Sequence, residues 1–514
     1  MPASIQLTGL ASNDPVPGTY LQIQFAAGPA GGYQGNRPIL LIGNKSSAGT
    51  MTPDTVVYGP DIQGAQCQTE QDVIGLAGPG SELHRGWRKL TQYNKTTSVY
   101  LLAVTASGGA SATMVFTLAN VPTSGGTLRI FGADEFVETG YNASDTLASI
   151  TAAAVLNINS RSWLPFAASQ TTVSTSNDSV TLTAKVPGPR GNWLRGMAQI
   201  LPPAGIVSNM TVTNTADAFF TGGTTADSNT TALGTINPKR YYYLVSAAED
   251  STQFGALAAQ VSSQALPTNG IRQRAFCGSV DSSGNVTTLA TTVNNPRAEF
   301  VWSQACPYTP FEIACVAAGL YALYENSGSK PKLNWSGYGQ GPNDTWPIPP
   351  SRDTTKQPTR TTIKGLLQNG VTPVGWSSAT KTYLVKRITS YSLNGSVPDY
   401  RVRDAGKVTV CDFFGDDLYS LTNTNWSQKV FAQDPKPGSP PPDSSTITPN
   451  LYRGDVFNLI DLYGQSNLFK NVADIKAGTI VQQDPNNNNR IDVESPLQPV
   501  DIIDQFAVLL LQVA

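Results

Sequence analysis

Apolar and polar residues alternate in TYLQIQF, residues 19–25, so that Leu21, Ile23 and Phe25 share one face and Gln22 and Gln24 the other. That period predicts a β-strand. Pro15, Pro17 and Gly18 precede it and the Gly-rich AAGPAGGYQGN follows, so the strand reads as an arm on a flexible tether. Downstream the pattern changes. PILLIG (38–43) and SVYLLAVTA (98–106) are apolar runs of strand length. Between them Ser81 leads into Leu83, Trp87 and Leu90, the spacing of a capped amphipathic helix.

From residue 108 short strands take over, ATMVFTLANV, GTLRIFGADEFV and DSVTLTAKV, separated by Ser/Thr/Gly turns and one helical stretch, SDTLASITAAAVLNINS. After TGGTT (221–225) strand and helix alternate again: YYYLVSAA, STQFGALAAQVSSQAL, RAFCGSV, AEFVWSQA and the long TPFEIACVAAGLYALYENS. Such alternation predicts a parallel sheet. Beyond the Pro-rich PNDTWPIPPSRD come a helix with a Gly stop (RTTIKGLLQNGVTPVGW), a strand (KTYLVKRITSYSL), a Pro-rich loop, the helix LYRGDVFNLIDLYGQ, and a turn into a short strand at NNNNRIDVESPL. The chain closes on FAVLLLQVA, an apolar strand. The expected division is an N-terminal arm (1–36), an α/β domain in two parts (37–107 and 223–350) around an inserted β-rich domain (108–222), and a C-terminal α+β domain (351–514) ending in a second arm.

An apolar strand at a chain end must pair and be covered, or it invites aggregation. Leu21, Ile23 and Phe25 at one end and Phe506, Val508 and Leu510 at the other therefore fold back into their own domain or are donated to neighbours.

Composition narrows the function. The 514 residues suffice for several domains, and only 14 % are charged, with 46 Gly, 36 Pro and a net charge of −2. No global field draws the chain to nucleic acid or to an anionic membrane. No run approaches the roughly 20 apolar residues of a membrane helix, and the first residues lack the basic and apolar regions of a signal peptide. Five scattered cysteines without a C-x-x-C predict buried, reduced thiols.

Candidate chemistry is sparse. Gly43-Asn44-Lys45-Ser46 follows a strand, as a phosphate loop would, but G-x-x-x-x-G-K-[ST] is absent, and an ordinary turn is expected. His84 is the only histidine, with no G-x-S-x-G nearby and no cluster of metal ligands, so no catalytic, cofactor-binding or metal residue is assigned. The adjacent pairs Asp134-Glu135 and Asp416-Asp417 read as solvated loop ends. One charge pattern stands out. Residues 381–403 carry Lys381, Lys386, Arg387, Arg401 and Arg403 against Asp399, and residues 484–504 carry Asp484, Asp492, Glu494, Asp501 and Asp504 against Arg490. The two stretches are expected to meet, within or between subunits.

Several segments, in order along nearly the whole chain, resemble the contractile-tail sheath proteins of Mu-like myophages: VPGTYLQIQF, RPILLIG, LAGPGSELHRGWRKL, GPRGNWL leading to TGGTT, IKGLLQNGVTPVGW, LVKRITSYSLN and RIDVESPLQPVDIIDQFAVLLLQ. The resemblance implies a subtilisin-like α/β sheath domain carrying an inserted β-rich domain, and arms exchanged between neighbours to complete a shared sheet. It implies hexameric rings around a tail tube, contraction that drives the tube through the host envelope, and assembly with tube, baseplate and terminator proteins. No cofactor, nucleic acid or membrane insertion is implied, and the place is the virion, after assembly in the host cytoplasm. The long Pro-rich stretch near 435–443 and the acidic DPNNNNRIDVE depart from the family pattern. Another tail component, such as a tube or baseplate protein, and a hydrolase on an α/β scaffold are the alternatives.

Overall fold

The computed structural model describes residues 37–502 apart from 63–65, 175, 238, 248–249, 327–331, 342–343, 427 and 437–442. Its centre is an eight-stranded sheet in the order Thr382–Leu384, Thr372–Trp376, Ala298–Trp302, Arg274–Ser279, Tyr243–Ser246, Ile39–Gly43, Val99–Ala103, Val57–Tyr58. The inner six strands run parallel and each outer strand is antiparallel to its neighbour. Alternation along each strand divides the side chains between two cores. Ile39, Leu41, Tyr243, Val245 and Phe276 face one; Leu40, Ile42, Leu244, Ala275 and Cys277 face the other. Both faces are covered, which is why these strands read as unbroken apolar runs.

On the first face lie the helices Glu82–Thr91 and Pro310–Glu325. Ser81 caps the former; Thr309 and Glu312 form a capping box on the latter, with Pro310 at its first turn. The two helices approach closely because Gly86 has no side chain: a Cβ there would lie 2.4 Å from Phe311. On the second face lie the helices Ser251–Gln264, Ser283–Val293 and Arg360–Gln368.

Residues from Thr113 to Phe219 form two antiparallel four-stranded sheets and the helix Leu147–Asn159 around a separate core. In one sheet Thr113–Ala119 pairs with Asn177–Ala184, and in the other Gly126–Gly132 pairs with both Glu135–Tyr141 and Arg195–Leu201. The last lobe packs the long helix Ala405–Trp426 on the helix Pro449–Gln465 and on a hairpin, Ile480–Asp484 with Asn487–Glu494.

Several expectations need correction. TPVGW is not the tail of a helix: Thr372–Trp376 is a buried strand of the large sheet, which therefore continues past residue 350. Of KTYLVKRITSYSL only Thr382–Leu384 and the final Leu393, which opens the two-residue strand Leu393–Asn394, are strand, because Arg387 turns inward to carboxylates beneath the sheet. The helices Ser283–Val293 and Ala405–Trp426 and the strands Phe166–Ser174 and Arg195–Leu201 were not legible in the pattern. Asp134 and Asp416 are not solvated: each is largely buried among basic side chains. All five cysteines are free and buried, and burial pushes the thiols of Cys67, Cys306 and Cys411 up to about 12.

Candidate functional site

The chain leaves Ile39–Gly43 for a strand on one side and later returns to place Tyr243–Ser246 on the other. That makes this strand pair the topological switch point, and the crevice at its carboxyl end is where doubly wound sheets take ligands. The Gly43-Asn44-Lys45-Ser46 turn lies there, but its groups are engaged by the chain itself. Lys45 Nζ donates to the Gly49 carbonyl at 2.9 Å, and the Asn44 N–H donates to Glu82 Oε2 at 2.9 Å. Asn44 Nδ2 donates to Asp227 at 2.8 Å. Arg190 enters from the sandwich side and pairs with Glu82 at 2.8 Å and Asp227 at 3.6 Å. Gln253 Nε2 donates to the Asp227 carbonyl, and the Ser107 N–H to its carboxylate. Burial raises the Glu82 carboxyl pKa, although Arg190 opposes the shift. A cleft of about 40 Å³ remains beside Glu82, Arg85 and Arg190, whereas small-molecule sites run to roughly 300–1,000 Å³. The crevice is thus filled by residues from both passages that connect the sandwich to the large sheet.

Two further ion-pair clusters join the same two units. Arg85 meets Glu312 at 2.5 Å and Asp134 at 2.7 Å, and Lys89 also pairs with Asp134. Burial alone would raise the Asp134 pKa; Arg85 and Lys89 overcome it and hold the carboxyl well below its ordinary range. Arg352 reaches from the large unit to Asp217 at 3.2 Å and to the Ala133 carbonyl. His84 is fully buried on the same helix as Arg85 and Lys89: its Nδ1 accepts from the Gly80 N–H at 3.0 Å and its Nε2 lies 3.3 Å from Glu70. Burial lowers its pKa, against Glu70, and the ring holds the Gly80 turn through Nδ1. Among the described residues no group of three or more His, Cys, Asp or Glu is arranged to hold a metal ion, and no helix is long and apolar enough to cross a membrane.

A further ion-pair network lies at the opposite, amino ends of the parallel strands. Arg37, Arg240, Arg272, Arg274 and Arg297 stand at or just before the starts of four neighbouring strands. Arg297 binds Asp412 through two bonds of 2.8 Å, and Arg37, Arg240 and Arg272 converge on Asp416. Arg274 pairs with Glu299 at 2.7 Å. Asp412 and Asp416 are one turn apart on the long helix, so the arginines fasten that helix across the sheet. The signal was present in the sequence as an Arg at each strand entrance, but the acidic partners were unread because their helix was.

The predicted charge-complementary residues fall into other pairings. Arg387 is 4 % exposed and its guanidinium is taken by Glu299 at 2.9 Å and by Glu325, so within this chain it is an internal residue paired outside the 484–504 stretch. Lys386 pairs with Asp404 at 2.8 Å, Arg401 with Asp399 at 2.6 Å, and the Arg403 guanidinium stands over the Tyr400 ring. Asp492 pairs with Arg490, Glu494 sits in strand register with Ile480, and Asp501 bridges Lys407 and Lys470. Asp504 lies outside the described residues, as do Leu21, Ile23, Phe25, Phe506, Val508 and Leu510. Near the carboxyl end the hairpin Ile480–Asp484/Asn487–Glu494 is a two-stranded sheet: among the described residues no third strand lies along either outer edge.

No protein-family model matches the chain, and no curated protein matches it in sequence. Among solved structures the chain is similar to a sheath tail protein from Desulfitobacterium hafniense, with 13 % identity, a TM-score of 0.47, and coverage of 95 % of this chain and 97 % of that one. It is similar to a sheath tail protein from Listeria innocua at 13 % identity and a TM-score of 0.47, covering 91 % and 93 %. It is also similar to the helical sheath of the anti-feeding prophage in its contracted state, at 10 % identity and a TM-score of 0.47, covering 97 % and 99 %.

Proposed function

We propose that this chain is the sheath subunit of a contractile phage tail of the Mu-like kind, stacking with itself as hexameric rings around a tail tube. In this reading the eight-stranded unit is the subtilisin-like sheath domain and the sandwich is its insertion. The baseplate and tail terminator are the partners at the two ends of the stack, and contraction drives the tube through the host envelope. The particle is the virion tail, built in the host cytoplasm.

The observation that carries the proposal is the unfinished hairpin at Ile480–Asp484/Asn487–Glu494 in a chain whose two ends are apolar strands by sequence. One face of the hairpin packs on the helix Pro449–Gln465, but among the described residues both outer edges are without a strand partner, and added strands would extend and further stabilise the sheet. Its outer edges accept Leu21, Ile23 and Phe25 of one neighbour and Phe506, Val508 and Leu510 of another, so donated strands finish the sheet and link the subunits. The plugged switch-point crevice supports the same reading, because it leaves the α/β unit as a rigid body. Removing residues 1–27 tests it. Burying each large apolar side chain is worth on the order of 1.5–3 kcal/mol, so the truncated chain keeps its circular dichroism and melting curve but builds no tubes. An unfolded or aggregated truncation, or one that still builds tubes, removes the donor-strand account.

A further inference from the structure

The described residues at either end, Arg37 and Asp501, are both fixed to one helix. Arg37, the first described residue, is 4 % exposed. Its guanidinium lies 3.5 Å from the centre of the Phe413 ring and 3.2 Å from Asp416, both on the long helix. Its backbone is clamped by Asn326, which accepts from the Arg37 N–H at 3.3 Å and donates to its carbonyl at 3.2 Å. At the other end Asp501 is held between Lys407 of the same helix, at 2.9 Å, and Lys470. The Val500 N–H donates to the Leu468 carbonyl at 3.1 Å, and the Lys470 N–H to the Gln498 carbonyl at 2.8 Å. Pro499, Val500 and Ile502 line a groove with Gly406, Lys407 and Val410. Lys407 and Asp416 are nine residues apart, about 13 Å along a helix. Between them Asp412 is gripped by Arg297 and receives the Tyr242 hydroxyl at 3.1 Å.

We infer that the helix Ala405–Trp426 is a common anchor for both terminal segments, so that the two roots are energetically coupled to each other and, through Asp412 and Asp416, to the amino ends of the parallel strands. This rests on the sheath reading only for its purpose: in an array linked by arms, a pull on either arm reaches the same helix and passes into the sheet. The physical basis lies within one subunit. The first three turns of the helix are held by the buried Val408, Val410, Phe413 and Phe414 together with ionic contacts to the strand entrances and to the two roots, so releasing one root lowers the cost of opening that stretch and thereby loosens the other. Coupling of this kind is reciprocal.

Hydrogen exchange on the purified full-length chain tests the inference. In Arg37→Met the stem still covers Phe413 but the bond to Asp416 is gone. The Val500 amide and the amides of residues 405–416 exchange several-fold faster, although Val500 is remote from the substitution in sequence. In Asp501→Asn, an exposed change that leaves the core intact, the Arg37 amide exchanges faster in turn. If Arg37→Met does not fold, the Asp501→Asn arm decides alone. Faster exchange confined to the neighbourhood of each substitution overturns the inference. The readout is independent of assembly: coupled roots in a chain that builds no tubes would remove the sheath reading and keep the anchor, and tubes from a chain with uncoupled roots would do the reverse.

Discussion

Asp416 and Asp417 are adjacent on one helix and experience opposite environments. Burial works against Asp416, but Arg240, Arg272 and Arg37 prevail and lower its pKa. Asp417 faces Tyr463 on the next helix, whose hydroxyl donates to it, and burial dominates there, pushing it up to about 6. A carboxyl whose folded pKa lies above its unfolded value contributes stability below the unfolded pKa and loses it as pH rises through the folded one. Asp417 therefore weakens the fold progressively from about pH 4 to about pH 6 and by a constant amount above. Asp417→Asn keeps an acceptor for Tyr463 and removes the charge. Its melting temperature relative to the parent rises across that window and then levels off, with a gain on the order of 1 kcal/mol at neutral pH after solvent screening. A difference in melting temperature that stays flat from pH 4 to pH 7.5 contradicts the assignment. At this scale the sequence marked Gly43-Asn44-Lys45-Ser46 as an ordinary turn after a strand, and the strand does end at Gly43. It was misleading about Arg387, because a run of basic residues does not reveal which one turns inward.

Among elements, legibility followed periodicity and capping. The run Ile39–Gly43 and the capped helices Glu82–Thr91 and Pro310–Glu325 stand out because both faces of the strand and the cap residues are written locally. The helix Ala405–Trp426 was hidden. It is buried on several sides by Val408, Val410, Phe413 and Phe414, its charged positions Asp412 and Asp416 face the sheet instead of water, and so it shows no polar stripe. The strand Arg195–Leu201 was masked by its Gly, Met and Gln, which reflect close packing in the sandwich and not a turn. The crossing of Glu82–Thr91 on Pro310–Glu325 gives an element-scale prediction. Gly86→Val drives a branched side chain into Phe311 and Cys315, and overpacking of this kind costs roughly 1–3 kcal/mol. Chemical denaturation reads it as a lower midpoint with an unchanged slope. A midpoint equal to the parent's would show that the helices can separate without loss.

For the whole molecule, three ion-pair clusters at the seam make the sandwich and the large sheet one mechanical unit: Glu82–Arg190–Asp227, Glu312–Arg85–Asp134–Lys89 and Arg352–Asp217. The arginines at the strand entrances fasten the last lobe to the same sheet. Under the sheath proposal, a subunit built this way would change its neighbours by moving as a body, with small gains at each contact adding along the stack. The sequence made the alternation of strand and helix in the large sheet readable. It could not disclose the seam, because each tie joins residues far apart in the chain, as with Arg190 and Glu82. The measurement that bears most directly on the account is electron microscopy of the purified full-length chain, alone and with tail tube protein. The account predicts rings or striated hollow tubes with six-fold symmetry, and density for a strand on each side of the hairpin at 480–494. A monodisperse monomer under all conditions, with the hairpin edges uncovered, would contradict it.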